Sequence, residues 1–340
     1  MDTSVENPPK SLGDIAKALG VSRSTVSRAL RDDARISLST RERVQTFARE
    51  HAYQPDPLVA HLAAHAWRKR REQGSKVNIA YLTLAEPGTD PSTNLRFKGA
   101  ASIAKGLGYG VELLNLTGYS DPSQLGRIAY ARGVRGLICG FRASSWLMEA
   151  SDFPWKRFAV VAAGVNLRQL PVHTVSLNGV ASVELALGKL RERGFRRIGL
   201  ATVSFGELSE MDLQKTGTFL VRQTGWSDAE RIPIWTGGRR KVASLREWVL
   251  RERPDVVLGN LGLVHQMLTE AGFAMPDEVA FAGLFLHEEE KRGPGIISGG
   301  ERVGRAAMNL LDALLQRNET GLPIEPMRIM VQPTWRDRNC

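Results

Sequence analysis

The sequence predicts a small all-α domain containing a helix-turn-helix, followed by a larger α/β domain of doubly wound parallel sheets. Short, capped helical patterns fill residues 11–55. From Val77 onward, apolar runs alternate with amphipathic helical segments, which is the pattern of repeated β-α units. The 340 residues are also enough for two or three domains with sizeable cores.

Charge and composition restrict the partners. The formal net charge is +10, and residues 1–76 hold 14 Lys and Arg against 9 Asp and Glu, half of that excess. Such a concentration of positive charge favours a polyanionic partner. Cys139 and Cys340 form no disulfide framework, and the polar, acidic start MDTSVENPPK is unlike a signal peptide. No apolar run reaches the ~18 residues that span a bilayer. We therefore expect a cytoplasmic, soluble protein with no membrane partner.

Capping signals divide residues 11–55 into three short helices. Ser11 and Asp14 form a capping box for the first helix, and Gly20 ends it. Ser22 caps the second helix after a short turn. A further Ser-x-x-Glu pattern, Ser39 to Glu42, is expected to begin the third.

The second helix, within VSRSTVSRAL, has an unusual polar face. At 100° per residue, its apolar side chains fall on one side. The opposite side carries only arginines and hydroxyls: Arg23, Ser24, Ser27 and Arg28. Arginine can donate two hydrogen bonds to guanine and serine can reach bases or phosphates, whereas an acid there would repel phosphate. This face predicts a helix that enters the DNA major groove; the alternative is a small helical bundle with a solvated face.

The N-terminal pattern resembles the lactose/galactose repressor (LacI/GalR) family. The stretch LGDIAKALGVSRSTVSRALRDDARISLSTRERVQTFAREHAYQPDPLVAHLA contains I-A-x-x-x-G-V-S-x-x-T-V-S-R, then S-x-x-T-R-x-x-V and A-Y-x-P-D. The resemblance implies that Arg23 and Ser24 read bases and that Arg28 contacts guanine. It also implies that three hydroxyls position the helix on phosphates: Ser22, Thr25 and Ser27.

A hinge helix is expected to follow in residues 56–76. In the family this helix pairs with its twin and inserts a leucine into the central minor groove, and Leu62 stands at that position. The basic run WRKRR extends the expected helix to about residue 71, the alternative being a solvated linker. His61 and His65 have metal-ligand spacing but no further ligand nearby, so no metal or other cofactor is predicted.

The remaining chain resembles the two-lobed, periplasmic-binding-protein-like (type I) effector domain of the same family. Its chain order implies that the first lobe spans about 77–176 with a returning helix at 302–317. The second lobe is expected to span about 178–300 with a returning strand at 327–335. The domain organisation is therefore a tail (1–10), a helix-turn-helix domain (11–55), a hinge and linker (56–76), and an effector-binding and dimerisation domain (77–340).

The expected ligand cleft departs from the family's sugar-binding pattern. The segment 204–220, where sugar-binding members carry an arginine, has only Lys215 as a cation. Apolar residues replace acids elsewhere, as in Asn260-Leu261 and in Gly283-Leu284-Phe285-Leu286. Either the effector is unusual and less polar, or the cleft senses no small molecule. The candidate cleft residues are Glu86, Arg142, Lys215, Trp235, Asn260 and Phe285.

Other functional classes find little support in the sequence. The GLGYG stretch at 106–110 lies between a helix and a strand, which is wrong for a dinucleotide loop, and HEEEK at 287–291 is typical of a solvated loop. No nucleophile motif or P-loop occurs, so no enzyme is predicted. We expect a homodimeric, sequence-specific transcriptional regulator, of the repressor kind, that binds a palindromic double-stranded operator and is modulated by an unidentified small molecule. A sugar-transport protein and an architectural DNA-binding protein are the rival interpretations.

Overall fold

In a computed structural model, the chain forms two compact units, Met1–Ser75 and Lys76–Cys340. The structure describes the following residues: 11–30, 36–51, 53, 77–84, 90–119, 121–141, 153–164, 167, 170–203, 209–238, 240–287 and 293–337. Within them, no helix is both long and apolar enough to cross a membrane.

The described residues of the first unit form three helices: α1 (Leu12–Leu19), α2 (Arg23–Ala29) and α3 (Leu38–Glu50). The capping box of Ser11 with Asp14, the C-cap at Gly20 and the N-cap at Ser22 are all confirmed. The predicted start of α3 is wrong by two residues, because Ser37 rather than Ser39 is its N-cap. The Ser37 hydroxyl accepts the hydrogen bond from the backbone N–H of Thr40.

A small core joins these helices. Among the described residues it contains six buried side chains, two from each helix, with partly buried hydrophobics packed around them: Ile15, Ala16, Val26, Ala29, Val44 and Ala48. Two side chains of α3 also hold the ends of the other helices. Arg43 donates to the carbonyl of Leu19 at 2.7 Å, and Gln45 donates to the carbonyl of Ala29 at 3.0 Å. Since helix ends carry unsatisfied carbonyls, these bonds fix α1 and α2 against α3.

The second unit contains two six-stranded sheets. The first has the order β11-β5-β4-β3-β1-β2, with all neighbours parallel. Its strands are β1 (Asn78–Thr83), β2 (Gly110–Asn115), β3 (Val134–Cys139), β4 (Ala159–Ala163), β5 (His173–Leu177) and β11 (Arg328–Val331). The second has the order β12-β10-β9-β8-β6-β7, parallel except for the β10–β12 pair. Its strands are β6 (Ile198–Val203), β7 (Trp235–Gly237), β8 (Val256–Gly259), β9 (Ala280–Leu286), β10 (Gly295–Ile297) and β12 (Thr334–Arg336).

Helices cover both faces of each sheet, and each sheet with its helices is one lobe. The first lobe has α4 (Pro91–Gly106) and α10 (Gly300–Arg317) on one face and α5 (Pro122–Ala131) on the other. The second has α6 (Gly179–Glu192) and α7 (Glu210–Gln223) on one face, and α8 (Val242–Glu252) and α9 (Gln266–Glu270) on the other. Alternate residues of the strands enter the two cores, as expected for doubly wound parallel sheets.

The C-terminal segment divides between the lobes. The whole of residues 327–335 was predicted to lie in the second lobe, but β11 pairs with β5 of the first sheet and only β12 pairs with β10 of the second. The reason is a hydrogen-bonded ladder from Arg328 to Val331 along β5, which the apolar pattern of the strand could not assign to either sheet. Strand β10 was not predicted.

Candidate nucleic-acid interface and ligand-binding residues

Helix α2 separates its apolar and polar side chains as the sequence predicts. Val26 and Ala29 are completely buried in the core of the first unit. Arg23, Ser24 and Arg28 are exposed. Neither arginine makes an ion pair or side-chain hydrogen bond with any other residue that the structure describes. Two guanidinium groups are therefore presented on one surface of a helix that the core holds in place.

Hydroxyl groups organise the beginning of α2. Ser22 accepts the N–H of Thr25 at 3.0 Å, and its hydroxyl lies 2.7 Å from that of Ser24 and 2.8 Å from that of Thr25. Thr25 and Ser27 are partly buried. Three predicted contact residues, Ser22, Ser24 and Thr25, thus form one hydroxyl cluster at the start of the helix. Leu62, the predicted minor-groove residue, lies outside the described residues.

The two sheets of the second unit have corresponding switch points. In the first sheet the chain passes from β1 to β2 on one side and then to β3 on the other. In the second sheet the chain passes likewise from β6 to β7 and then to β8. Ligands of open α/β sheets bind outside the carboxyl ends of the strands at such points. These two edges are therefore where ligand-binding side chains are expected.

Two predicted cleft residues meet in the second lobe. The ammonium of Lys215, on α7, lies 4.1 Å from the ring centroid of Phe285, near the carboxyl end of β9. The Lys215 side chain is only 15% exposed, and Asp212 is its ion-pair partner at 3.7 Å. Burial lowers the pKa of Lys215, while Asp212 opposes that change. The result is a shielded cation that stacks on an aromatic face.

Two polar side chains follow the neighbouring strands. Asn260 comes directly after β8 at the switch point, is exposed, and makes no side-chain capping bond. His287 follows β9, and its Nδ1 is buried without a hydrogen-bond partner among the described residues. His287 was not predicted, because it begins a charged run that is typical of a solvated loop. Its position at a strand end was the signal that could have identified it.

Trp235, a further predicted cleft residue, is not part of this group. Trp235 was predicted to offer a ring face to a ligand, but it is 5% exposed. It packs with α8 in the core on the other face of the second sheet, and its indole N–H donates to Ser244 at 3.3 Å. An inward position in an edge strand explains this burial. Glu86 and Arg142 lie outside the described residues.

The first lobe contains a basic residue at its carboxyl edge that the sequence did not reveal. Arg96, on α4, donates to the hydroxyls of Tyr81 and Thr93, both at 3.4 Å. Burial raises the pKa of Tyr81, although Arg96 opposes this rise. Arg96 was missed because its helical pattern only indicates that it lies near the apolar face of α4. Its contact with a strand residue depends on the sheet.

Part of the first unit is similar to a known family. Residues 11–56 match the family described as "Bacterial regulatory proteins, lacI family". An HTH-type transcriptional regulator of Mycobacterium tuberculosis is 27% identical over 213 residues, which are 59% of this chain and 55% of that protein. The chain thus spans about half the length of this curated relative.

Solved structures resemble nearly the whole chain. The cellobiose complex of the regulator CelR is 20% identical, with a TM-score of 0.55, and the match covers 97% of this chain and 99% of that one. The Lac repressor bound to ONPG is 18% identical, with a TM-score of 0.56 and the same coverage. The Cra dual regulator of Pseudomonas putida with fructose 1-phosphate is 14% identical, with a TM-score of 0.58, over 78% of this chain and 100% of that one. These similarities confirm the predicted fold, a helix-turn-helix domain with a two-lobed, type I periplasmic-binding-protein-like domain.

Proposed function

We propose that this chain, whose N-terminal domain belongs to the lacI family of bacterial regulatory proteins, represses transcription by binding a palindromic operator as a homodimer. A small molecule at the carboxyl edges of the second unit modulates its affinity for DNA. The single observation that carries the proposal is the surface of α2. It presents Arg23, Ser24 and Arg28 outward from a helix anchored by Val26 and Ala29.

The chemistry of this surface suits the major groove. The second helix of a helix-turn-helix places its N-terminal residues on base edges, and an arginine can bind O6 and N7 of guanine together. The hydroxyl cluster at Ser22 offers further groups for phosphates or bases. Because charge alone gives binding without sequence preference, the arrangement of these side chains is what supports sequence-specific recognition.

Selection of duplexes from a random pool tests the proposal directly. We expect the full chain to enrich one pseudo-palindromic sequence, with half-sites about one helical turn apart or a multiple of that distance. A gel shift of the enriched duplex, in competition with random duplex, should show preferential binding. Equal competition by random duplex would contradict the proposal and favour an architectural protein.

The small DNA contact of one helix-turn-helix domain supports a homodimer. A single such domain contacts too few base pairs for useful specificity, so two of them must bind a palindrome together. Sedimentation of the chain at micromolar concentration should therefore give a dimer. A monomer under those conditions would contradict this part of the proposal.

The proposed effector differs from an ordinary monosaccharide. CelR, the Lac repressor and Cra were solved with cellobiose, ONPG and fructose 1-phosphate respectively, which supports small-molecule binding by the shared fold. In this chain the second lobe offers Lys215 on Phe285 and the amide of Asn260. Neighbouring Gln214 accepts the N–H of Gly179 at 3.0 Å and donates to Glu210 at 3.2 Å, so its amide is committed within the protein.

Sugar hydroxyls that lose water need new partners, and each buried polar group left without one costs about 1–3 kcal/mol. We therefore expect no micromolar binding of simple hexoses or pentoses, as judged by calorimetry. Tight binding of any of them, with a matching change in operator affinity, would overturn this description of the effector.

A further inference from the structure

Arg96 combines a constrained position with uncommitted donors. Its guanidinium makes two hydrogen bonds, to the hydroxyls of Tyr81 and Thr93, and both are long at 3.4 Å. A guanidinium has five N–H groups, so most remain available. Arg96 makes no ion pair with any residue in the described part of the chain. The carboxylate of Asp90 accepts instead from the Thr93 hydroxyl at 2.5 Å and from the N–H of Ser92 at 3.0 Å.

The backbone and the side chain of Arg96 are both held in place. Gly304 of α10 approaches the Arg96 carbonyl so closely that a Cβ would collide with it. At the other end, the side chain lies over Gly164, where a Cβ would be 2.7 Å from the Arg96 Cδ. Gly164 has a φ of +73°, which also favours glycine. The arginine is therefore positioned by tertiary contacts at both of its ends.

These contacts place the guanidinium at the carboxyl edge of the first sheet. Gly164 directly follows β4, and Tyr81 lies in β1 with its hydroxyl against Gly140, which directly follows β3. The switch point of this sheet lies between β1 and β3. Arg96 thus occupies the edge at which parallel sheets of this topology bind ligands.

We propose that Arg96 is the anchor for an oxyanion, a phosphate or a carboxylate, carried by the small-molecule effector. This inference deepens the effector site of the proposed function and rests on it. The planar fork of arginine matches the two oxygens of either group, and charge-assisted hydrogen bonds in a partly shielded site are the stronger kind. Tyr81 and Thr93 are positioning residues that hold the fork, since the completely buried Tyr81 does not reach solvent.

Titration calorimetry on the full-length chain tests this proposal. The probes are inorganic phosphate, acetate, glucose 6-phosphate and gluconate, with glucose and sodium chloride as neutral and ionic-strength controls. At least one oxyanion should bind where the matched controls do not. Binding of the phosphate compounds alone identifies a phosphate site, and binding of acetate or gluconate alone identifies a carboxylate site.

Variants connect that binding to Arg96. The Arg96→Gln substitution should weaken the Kd of the bound probe about tenfold or more, and Arg96→Lys should weaken it less because charge remains. Tyr81→Phe, which keeps the ring, should weaken it about two- to tenfold by loosening the fork. The control is Lys105→Gln, which removes one exposed positive charge from the same helix and should leave the Kd unchanged.

Three results would overturn the proposal: no oxyanion binds beyond the controls, Arg96→Gln binds as tightly as the parent chain, or Lys105→Gln loses as much affinity. Operator binding is measured separately. A chain that binds its selected duplex but no oxyanion contradicts this inference alone. A chain that binds an oxyanion through Arg96 but prefers no duplex contradicts the proposed function and leaves the anion site intact.

Discussion

The two candidate sites of this protein are assembled in opposite ways. The proposed DNA-binding surface lies on one seven-residue helix, α2, whose inward and outward side chains alternate with helical periodicity. The proposed ligand-binding groups come from distant segments: Arg96 meets Tyr81 fifteen residues away, and Lys215 meets Phe285 seventy residues away. A local site can be recognised from spacing, whereas a site between elements becomes visible only when the sheets are formed.

The two sites also depend on different supports. Six small or medium side chains of the described residues form the core beneath α2; Gln45 holds the end of α2, and Arg43 holds the end of neighbouring α1. Each lobe of the second unit has two extensive cores, one on each face of its sheet. Damage to the small core beneath α2 should therefore abolish DNA binding and leave the ligand-binding groups of the second unit in place.

The largest effect is expected from Ile15→Ala. Ile15 is completely buried, and truncating such a side chain costs about 2–5 kcal/mol. That loss should unfold a domain with so small a core and abolish operator binding. Hydrogen exchange read by mass spectrometry should show lost protection in residues 11–51, with residues 77–337 unchanged. Loss of protection in both units would show that the two units do not unfold independently.

Arg28→Ala should have the next largest effect and leave the fold intact. Loss of a paired arginine–guanine contact costs about 1–3 kcal/mol at the specific site and relaxes the preference at one base pair. Competition gel shifts with single-base variants of the selected duplex measure the loss of affinity and the change in base preference. Arg49→Ala, which removes an exposed arginine of α3, is the matched control and should retain the base preference. Unchanged specificity in Arg28→Ala would contradict the placement of α2 in the major groove.

The corrected cap of α3 gives a smaller, purely local test. Ser37→Ala should destabilise the first unit by about 1 kcal/mol, the usual value for a lost N-cap. Ser39→Ala should cost much less, because the Ser37 hydroxyl is the acceptor for the Thr40 N–H. Hydrogen exchange in residues 11–51, measured as the temperature rises, compares the stability of the first unit in the two variants. An equal loss would show that both serines contribute to the helix start.

A pH effect is expected in the second unit. His173 is buried in β5, and its Nδ1 accepts the backbone N–H of Met327 at 3.0 Å. Burial lowers the pKa of His173, Glu319 opposes that change, and Arg317 adds to it. The neutral form is therefore favoured in the folded state. Its stabilisation is complete above the unfolded pKa of about 6.5 and is lost as the pH falls from there toward the lowered folded pKa.

His173→Asn removes this titration and keeps an acceptor for Met327, because the Asn Oδ1 is attached at the same carbon as the imidazole Nδ1. Between about pH 7 and about pH 5, the thermal midpoint of the second unit should fall less in this variant than in the parent chain. Differential scanning calorimetry measures the two midpoints. Parallel pH profiles would mean that His173 does not link protonation to folding.

Much of the first unit was predictable because its signals act within one or two helical turns. The capping box of Ser11 and Asp14, the end at Gly20 and the cap at Ser22 involve residues at most four positions apart from their partners. The amphipathic division of α2 needs only the helical repeat. The start of α3 was misjudged because the Ser-x-x-Glu pattern favours Ser39, whereas the Ser37 hydroxyl accepts the Thr40 N–H and caps the helix.

The α/β class of the second unit was equally visible, since alternating apolar strands and helical segments demand parallel sheets with covered faces. The pairing of those strands, however, could not be predicted from the sequence. β11 lies beside β5 of the first sheet rather than in the second, and Trp235 points into a core rather than toward a ligand. The sequence of an apolar strand does not specify which strands will pair with it, and a one-residue shift in register exchanges its two faces.

Local patterns in the chain were therefore enough to predict the two kinds of domain, the capped ends of α1, the start of α2, and the face of α2 proposed to meet DNA. The position of Arg96 at a carboxyl edge and the contact of Lys215 with Phe285 depend instead on how the helices pack on the sheets. Arg96 reaches Tyr81 because Gly304 and Gly164 allow its helix and side chain to approach, and Lys215 reaches Phe285 because α7 packs over β9's sheet. The physical reason is that a helix pattern specifies direction relative to its own axis, whereas these contacts depend on strands paired across long stretches of chain.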